Sequence, residues 1–159
     1  MSVSGRWWIV RRYLVVANQT LGGEELWGAI RERIAGGDCH FHLLVPATPA
    51  AQLDPGSTTE VAAEGGTGED LGRRLARQRM RHELDRMREL GASVSGEIGV
   101  ADPVDAVRVV LHRWEFDEVI LSTLPGRRSR WLAADLPTKI RRGFKLQVTQ
   151  VTGATAARG

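Results

Sequence analysis

Short apolar runs of strand length alternate with longer segments of helical period along almost the whole chain, and this alternation restricts the fold more than any single motif does. Residues 13–17 form a continuous apolar run ended by Asn18, the pattern of a strand buried on both faces. Leu26, Ile30 and Ile34 then recur at a spacing of four, with Thr20 expected to cap this first helix and Gly36-Gly37 to end it. A second strand covers 39–45 and is closed by Pro46. Residues 69–90 carry the strongest helical pattern, with Leu71, Leu75, Leu84, Met87 and Leu90 on one side and arginines interleaved with acids on the rest. A third strand at 94–98 turns through Asp102, a good N-cap, and Pro103, a good first helical residue, into a helix striped by Val104, Val107, Leu111 and Trp114. A strand at 118–121, a helix at 136–143 and a more polar, edge-like strand at 146–151 complete the order β-α-β-α-β-α-β-α-β. Strict alternation implies an α/β fold: a parallel sheet with helices on both faces, in three layers.

Residues 47–68, rich in Ala, Gly, Thr and Pro and without a period, read as a flexible insert. Residues 1–12, with Trp7-Trp8, read as an N-terminal arm, 13–152 as the α/β domain and 153–159 as a tail. A length of 159 residues suits one such domain. No apolar run reaches the ~18 residues needed to cross a membrane, and the first residues lack the features of a signal peptide. Cys39 is the only cysteine, which excludes an internal disulfide. Together these features lead to an expectation of a cytoplasmic protein. The 22 basic and 19 acidic residues nearly balance, and no aromatic residues interleave with the arginines of 69–90, so nucleic acid is not expected as a partner.

The basic residues concentrate in one place. Residues 122–145 hold seven cations against one acid, Asp135, whereas the whole chain is only +3. This segment joins a strand's carboxyl end to a helix's amino end, where open α/β sheets place anionic ligands. His40 and His42 share one face of their strand, but a metal needs a third ligand, and the remaining histidines, His82 and His112, lie on predicted helices. No metal site is expected. The chain has no Gly-x-x-x-x-Gly-Lys-Ser/Thr loop, Gly-x-Ser-x-Gly elbow or His-Glu-x-x-His, and Asn18 and Gly99 do not supply the acids of a phosphorylated receiver. No catalytic residue is assigned, and no enzyme is expected.

Three stretches carry a resemblance to a known family. They are 15–20, an apolar strand ending in Asn18 with Thr20 beyond it; 99–103, Gly-Val-Ala-Asp-Pro, with its helix and the strand 116–121; and 122–151, the last loop, helix and strand. In this order they resemble the universal stress protein family, within the adenine-nucleotide alpha-hydrolase-like folds. The resemblance covers about 12–152 and implies strand order 3-2-1-4-5 and a homodimer. Some family members bind ATP through Gly, two residues, Gly, nine residues, then Gly and Ser or Thr. Here Ser122 and Pro125 stand at the first two glycine positions, and the last pair falls on Ala133-Ala134 or on Ala134-Asp135. Where the family has Asp after the first strand, this chain has Asn18.

The resemblance implies a non-catalytic regulatory module holding a small-molecule nucleotide, ATP or AMP, at the carboxyl ends of strands 1 and 4. Asn18 and Val45, with Ala17 and Thr20, would flank the base or ribose. Ser122, Thr123, Gly126, Arg127, Arg128 and Ser129 would hold the phosphate. Asp135, as the N-cap of the following helix, would occupy amides that a phosphate would otherwise use. The alternative is a dimeric stress-response protein that binds no nucleotide and acts through protein partners.

Overall fold

The computed structural model describes residues 10–18, 20–47, 68–124 and 135–153. The Trp7-Trp8 arm, most of the insert, Gly126 to Ser129 and the final tail lie outside the described residues. The elements are β1 (Arg11–Val16), α1 (Glu24–Ala35), β2 (Cys39–Pro46), α2 (Gly68–Glu89), β3 (Ser93–Gly99), α3 (Pro103–Arg113), β4 (Glu118–Thr123), α4 (Leu136–Phe144) and β5 (Gln147–Thr152). β1 starts two residues before the apolar run, because Arg11 and Arg12 pair with Cys39 and His40 of β2.

The strands form one parallel sheet in the order β3-β2-β1-β4-β5, the order that the resemblance implies. Side chains alternate across the sheet, so each central strand feeds two cores. Tyr13, Val15, Phe41, Leu43, Val45 and Ile120 meet α1 and α2 on one face. Leu14, Val16, Leu44, Val119 and Leu121 meet α3 and α4 on the other. This explains why β1, β2 and β4 each hold a continuous buried apolar run while β5, at the edge, alternates.

Local chemistry sets the joints. Asp102 caps α3, accepting from the backbone N–H groups of Val104 at 2.9 Å and Asp105 at 3.1 Å. Gly99 lets α3 lie close to the sheet, since a Cβ there would stand 2.7 Å from the Ala106 Cβ. At the opposite end of the strands, Arg33 of α1 grips Glu118 of β4 with two bonds, at 3.1 and 2.7 Å. Thr149 of β5 also donates to Glu118. Burial opposes ionisation of Glu118, but these donors and the Arg33 charge outweigh it and hold the carboxyl below its ordinary range.

Several sequence expectations are corrected. Thr20 does not cap α1; the N-cap is Gly23, and the Thr20 hydroxyl is engaged elsewhere. Asp135 does stand at the N-cap of α4, but in a left-handed conformation (φ 57°) that makes no side-chain cap bond, so it does not occupy the helix amides. Leu90 and Trp114 lie beyond the ends of their helices and are 43% and 46% exposed, so neither belongs to the core. Glu83, expected among solvent-facing charges, is only 5% exposed beside the buried Trp27 ring, on which Arg86 stacks at 4.3 Å.

Candidate functional site

Strand order reverses between β1 and β4, the two strands that pair at the centre of the sheet but leave it in opposite directions. At such a switch the loops beyond the carboxyl ends diverge and leave a crevice. Ala17, Asn18 and Thr20 follow β1 here, and Ser122 and Thr123 end β4 beside them. The Ser122 hydroxyl donates to Thr20 Oγ1 at 2.6 Å, so the two strand ends are tied by side chains as well as by the ladder. Both hydroxyls are buried. Thr123 is turned toward β5: its carbonyl accepts from the Gly153 N–H at 3.0 Å and its hydroxyl from Gln150 Nε2 at 3.4 Å.

Asn18 sits between β1 and β2. Its amide donates to the Pro46 carbonyl at 2.9 Å, and its Oδ1 accepts from Arg79 of α2 at 2.6 Å. These two bonds fix the orientation of the carboxamide and bring a cation to the end of β1. Sequence reading missed Arg79. Its only signal was membership of an arginine-rich helix, and nothing in the spacing of that helix marks which arginine reaches inward. Val45, at the end of β2, is wholly buried, with its side chain in the core, so it exposes no group to a ligand. The structure thus brings Ala17, Asn18, Thr20, Val45, Ser122 and Thr123 together; Gly126, Arg127, Arg128 and Ser129 are outside its described residues.

The helix amino ends around the crevice differ in charge. α1 begins with Glu24 and Glu25, whose carboxylates already complement its N-terminus and repel an anion there. α4 has no acid in its first helical turn, and the Asp135 side chain makes no bond to its amides. An anion would thus meet two carboxylates at the α1 end and the Asp135 carboxylate alone at the α4 end. Among the described residues no group of three or more His, Cys, Asp or Glu side chains could hold a metal ion. None of their helices is long and apolar enough to cross a membrane.

No family model and no curated protein matches this sequence. Solved structures do match. A universal stress protein in complex with cAMP superposes with a TM-score of 0.57 at 17% identity, covering 91% of this chain and 98% of its own. A universal stress protein family protein from Arabidopsis thaliana with AMP bound superposes at 0.56 with 10% identity, covering 91% and 92%. The chain has the universal stress protein fold. At these identities it is a divergent example, and the likeness extends to the fold alone. A deacetylase from the biosynthesis pathway of teicoplanin also superposes, with a TM-score of 0.58, 9% identity and coverage of 92% of this chain and 68% of its own. The same layered core thus occurs in a protein named as an enzyme. Within the universal stress protein fold, the strand ends of this chain carry the Asn18–Arg79 bond and the Thr20–Ser122 bond.

Proposed function

We propose that this chain is a non-catalytic regulatory module that binds an adenine nucleotide, such as AMP or ATP, or another phosphate-bearing ligand beyond the ends of β1 and β4. The observation that carries this reading is the convergence of Asn18, Thr20, Ser122 and Thr123 at the strand-order switch. The neighbours solved with cAMP and AMP support it. In this reading Ala17, Asn18 and Thr20 border the base and ribose, with Val45 packed behind them. Ser122, Thr123, Gly126, Arg127, Arg128 and Ser129 border the phosphate. Calorimetry with AMP, cAMP and ATP tests it: at least one should bind. Arg128→Ala should weaken binding at least about tenfold, as expected for loss of a charge-assisted contact. Absence of heat with all three nucleotides overturns the reading.

A second reading, a dimeric protein that acts through protein partners without a nucleotide, is favoured by a different observation. The polar side chains at the crevice bond to one another: Ser122 to Thr20, and Asn18 to Pro46 and Arg79. A ligand recognised by these groups must first replace those bonds. The same titrations separate the two readings.

A further inference from the structure

On the α3 face, β2 and β3 carry a continuous line of polar side chains. His40 lies 2.7 Å from Ser93 Oγ through Nδ1 and 2.8 Å from Ser95 Oγ through Nε2. His42 lies 2.7 Å from Ser95 Oγ through Nδ1 and 2.7 Å from Glu97 through Nε2. Arg113, at the end of α3, donates to the other oxygen of Glu97. Strand register places these groups: His40 is opposite Ser93 and His42 opposite Ser95.

Donor counting orients the whole line. The Glu97 carboxylate can only accept, so His42 donates from Nε2 and, when neutral, accepts at Nδ1. Ser95 must then donate to His42 and accept from His40 Nε2–H, which leaves His40 Nδ1 to accept from Ser93. Ser95, His42 and Glu97 have the connectivity of a nucleophile, a base and an orienting acid. His40 argues against that role, because its N–H donates into Ser95 Oγ and holds the electron pair that would attack. What remains is a hydrogen-bonded fastening whose direction depends on both histidines being neutral.

We propose that this ladder is an acid-released latch on the edge strand: with neutral histidines it ties the first half of β3 to β2, and protonation of His40 opens that half. A proton on His40 is poorly accommodated, because His40 faces His42 across Ser95 and has Arg12 as its register neighbour on β1. Arg12 is held in place, with its guanidinium 5.7 Å from the Trp114 and Phe116 ring centroids and its backbone N–H donating to Asp117 at 2.8 Å. Glu97 is the one carboxylate bonded to the ladder among the described residues, and Arg113 already shares it. Burial, Arg12 and His42 together keep His40 below the ordinary imidazole range. Among the described residues β3 pairs only with β2, and no further strand pairs with its outer edge. Its far end stays pinned, because the Gly99 carbonyl accepts from the Ala47 N–H at 3.0 Å and Gly99 lies against Ala106. The opening is therefore confined to residues 93–97.

Hydrogen exchange read by mass spectrometry on the full chain tests this at about pH 7.5 and about pH 5, after correction for the chemical exchange rate. Residues 93–97 should lose protection relative to β1 and β4 at the lower pH, the direction that linkage to a histidine held below its ordinary range gives. His40→Gln keeps an N–H donor for Ser95 but cannot be protonated, and should abolish the loss. Unchanged protection in the wild type, or an equal loss in His40→Gln, overturns the latch. Should His40→Gln fold poorly, NMR titration of the wild-type imidazoles decides. His40 must titrate below 6.5; titration of His40 at 6.5 or above overturns the proposal.

Discussion

Single side chains in this protein matter chiefly through the partner each one holds. Thr20 and Ser122 hold each other in a buried pair. Thr20→Val removes the acceptor and leaves the Ser122 hydroxyl buried without one, at a cost of about 1–3 kcal/mol. The double variant Thr20→Val/Ser122→Ala removes both and should recover much of that loss, which urea unfolding of the three proteins would measure. Glu83 shows the converse case. Burial pushes its carboxyl above the ordinary 4.5, and the nearby Arg86 only partly opposes this. The folded state therefore favours the protonated form. The stabilising effect of protonation is complete below 4.5 and fades as pH rises through the raised value. Glu83→Gln should accordingly gain on the wild type by about 1 kcal/mol at neutral pH, with no such gain near pH ~4, in paired unfolding curves.

Elements are fastened to one another at both ends of the sheet by different chemistry. At the amino end of β4, the Arg33–Glu118 pair, with Thr149, joins α1, β4 and β5, and both charged side chains are largely buried. Glu118→Gln leaves Arg33 without its counter-charge and should cost about 3 kcal/mol, seen as a lower urea midpoint. The pH dependence has the opposite sign to that of Glu83. The Glu118 carboxyl lies below 4.5, so its contribution is present above 4.5 and is lost as pH falls through the depressed value. The acid-unfolding transition of Glu118→Gln should therefore be shallower than that of the wild type. At the carboxyl ends, the Thr20 and Ser122 hydroxyls, the Asn18 carboxamide and Arg79 make the corresponding ties.

For the whole molecule, the edge at β5 is the clearest unfinished surface among the described residues. Among them this strand pairs only with β4, and Thr149 and Gln150 make it polar rather than strongly aggregating. A second copy placed along this edge would cover it symmetrically, and the homodimer suggested by the family resemblance is the expected assembly. Light scattering at micromolar concentration should give twice the 17.5 kDa chain mass, and the single-chain mass would exclude the dimer.

The element order, the apolar face of most elements and the polar character of β5 were all legible in the sequence. They depend on periodicities of two and 3.6 residues, which are local. The crevice was legible in part: Asn18, Thr20, Ser122 and Thr123 could be placed at strand ends because strands end where apolar runs end. Only the tertiary structure decided which polar groups meet. Arg79 reaches Asn18 across 61 positions, and Ser122 reaches Thr20 across 102. Contacts at such separations depend on strand register and on where a helix turn falls over the sheet, and no local pattern encodes either. The same reason accounts for the corrections at Thr20 and Asp135. Each has the side chain of an N-cap at a plausible position. A cap also requires particular backbone angles, and these are set by how the chain leaves the strand and enters the helix packed beside it.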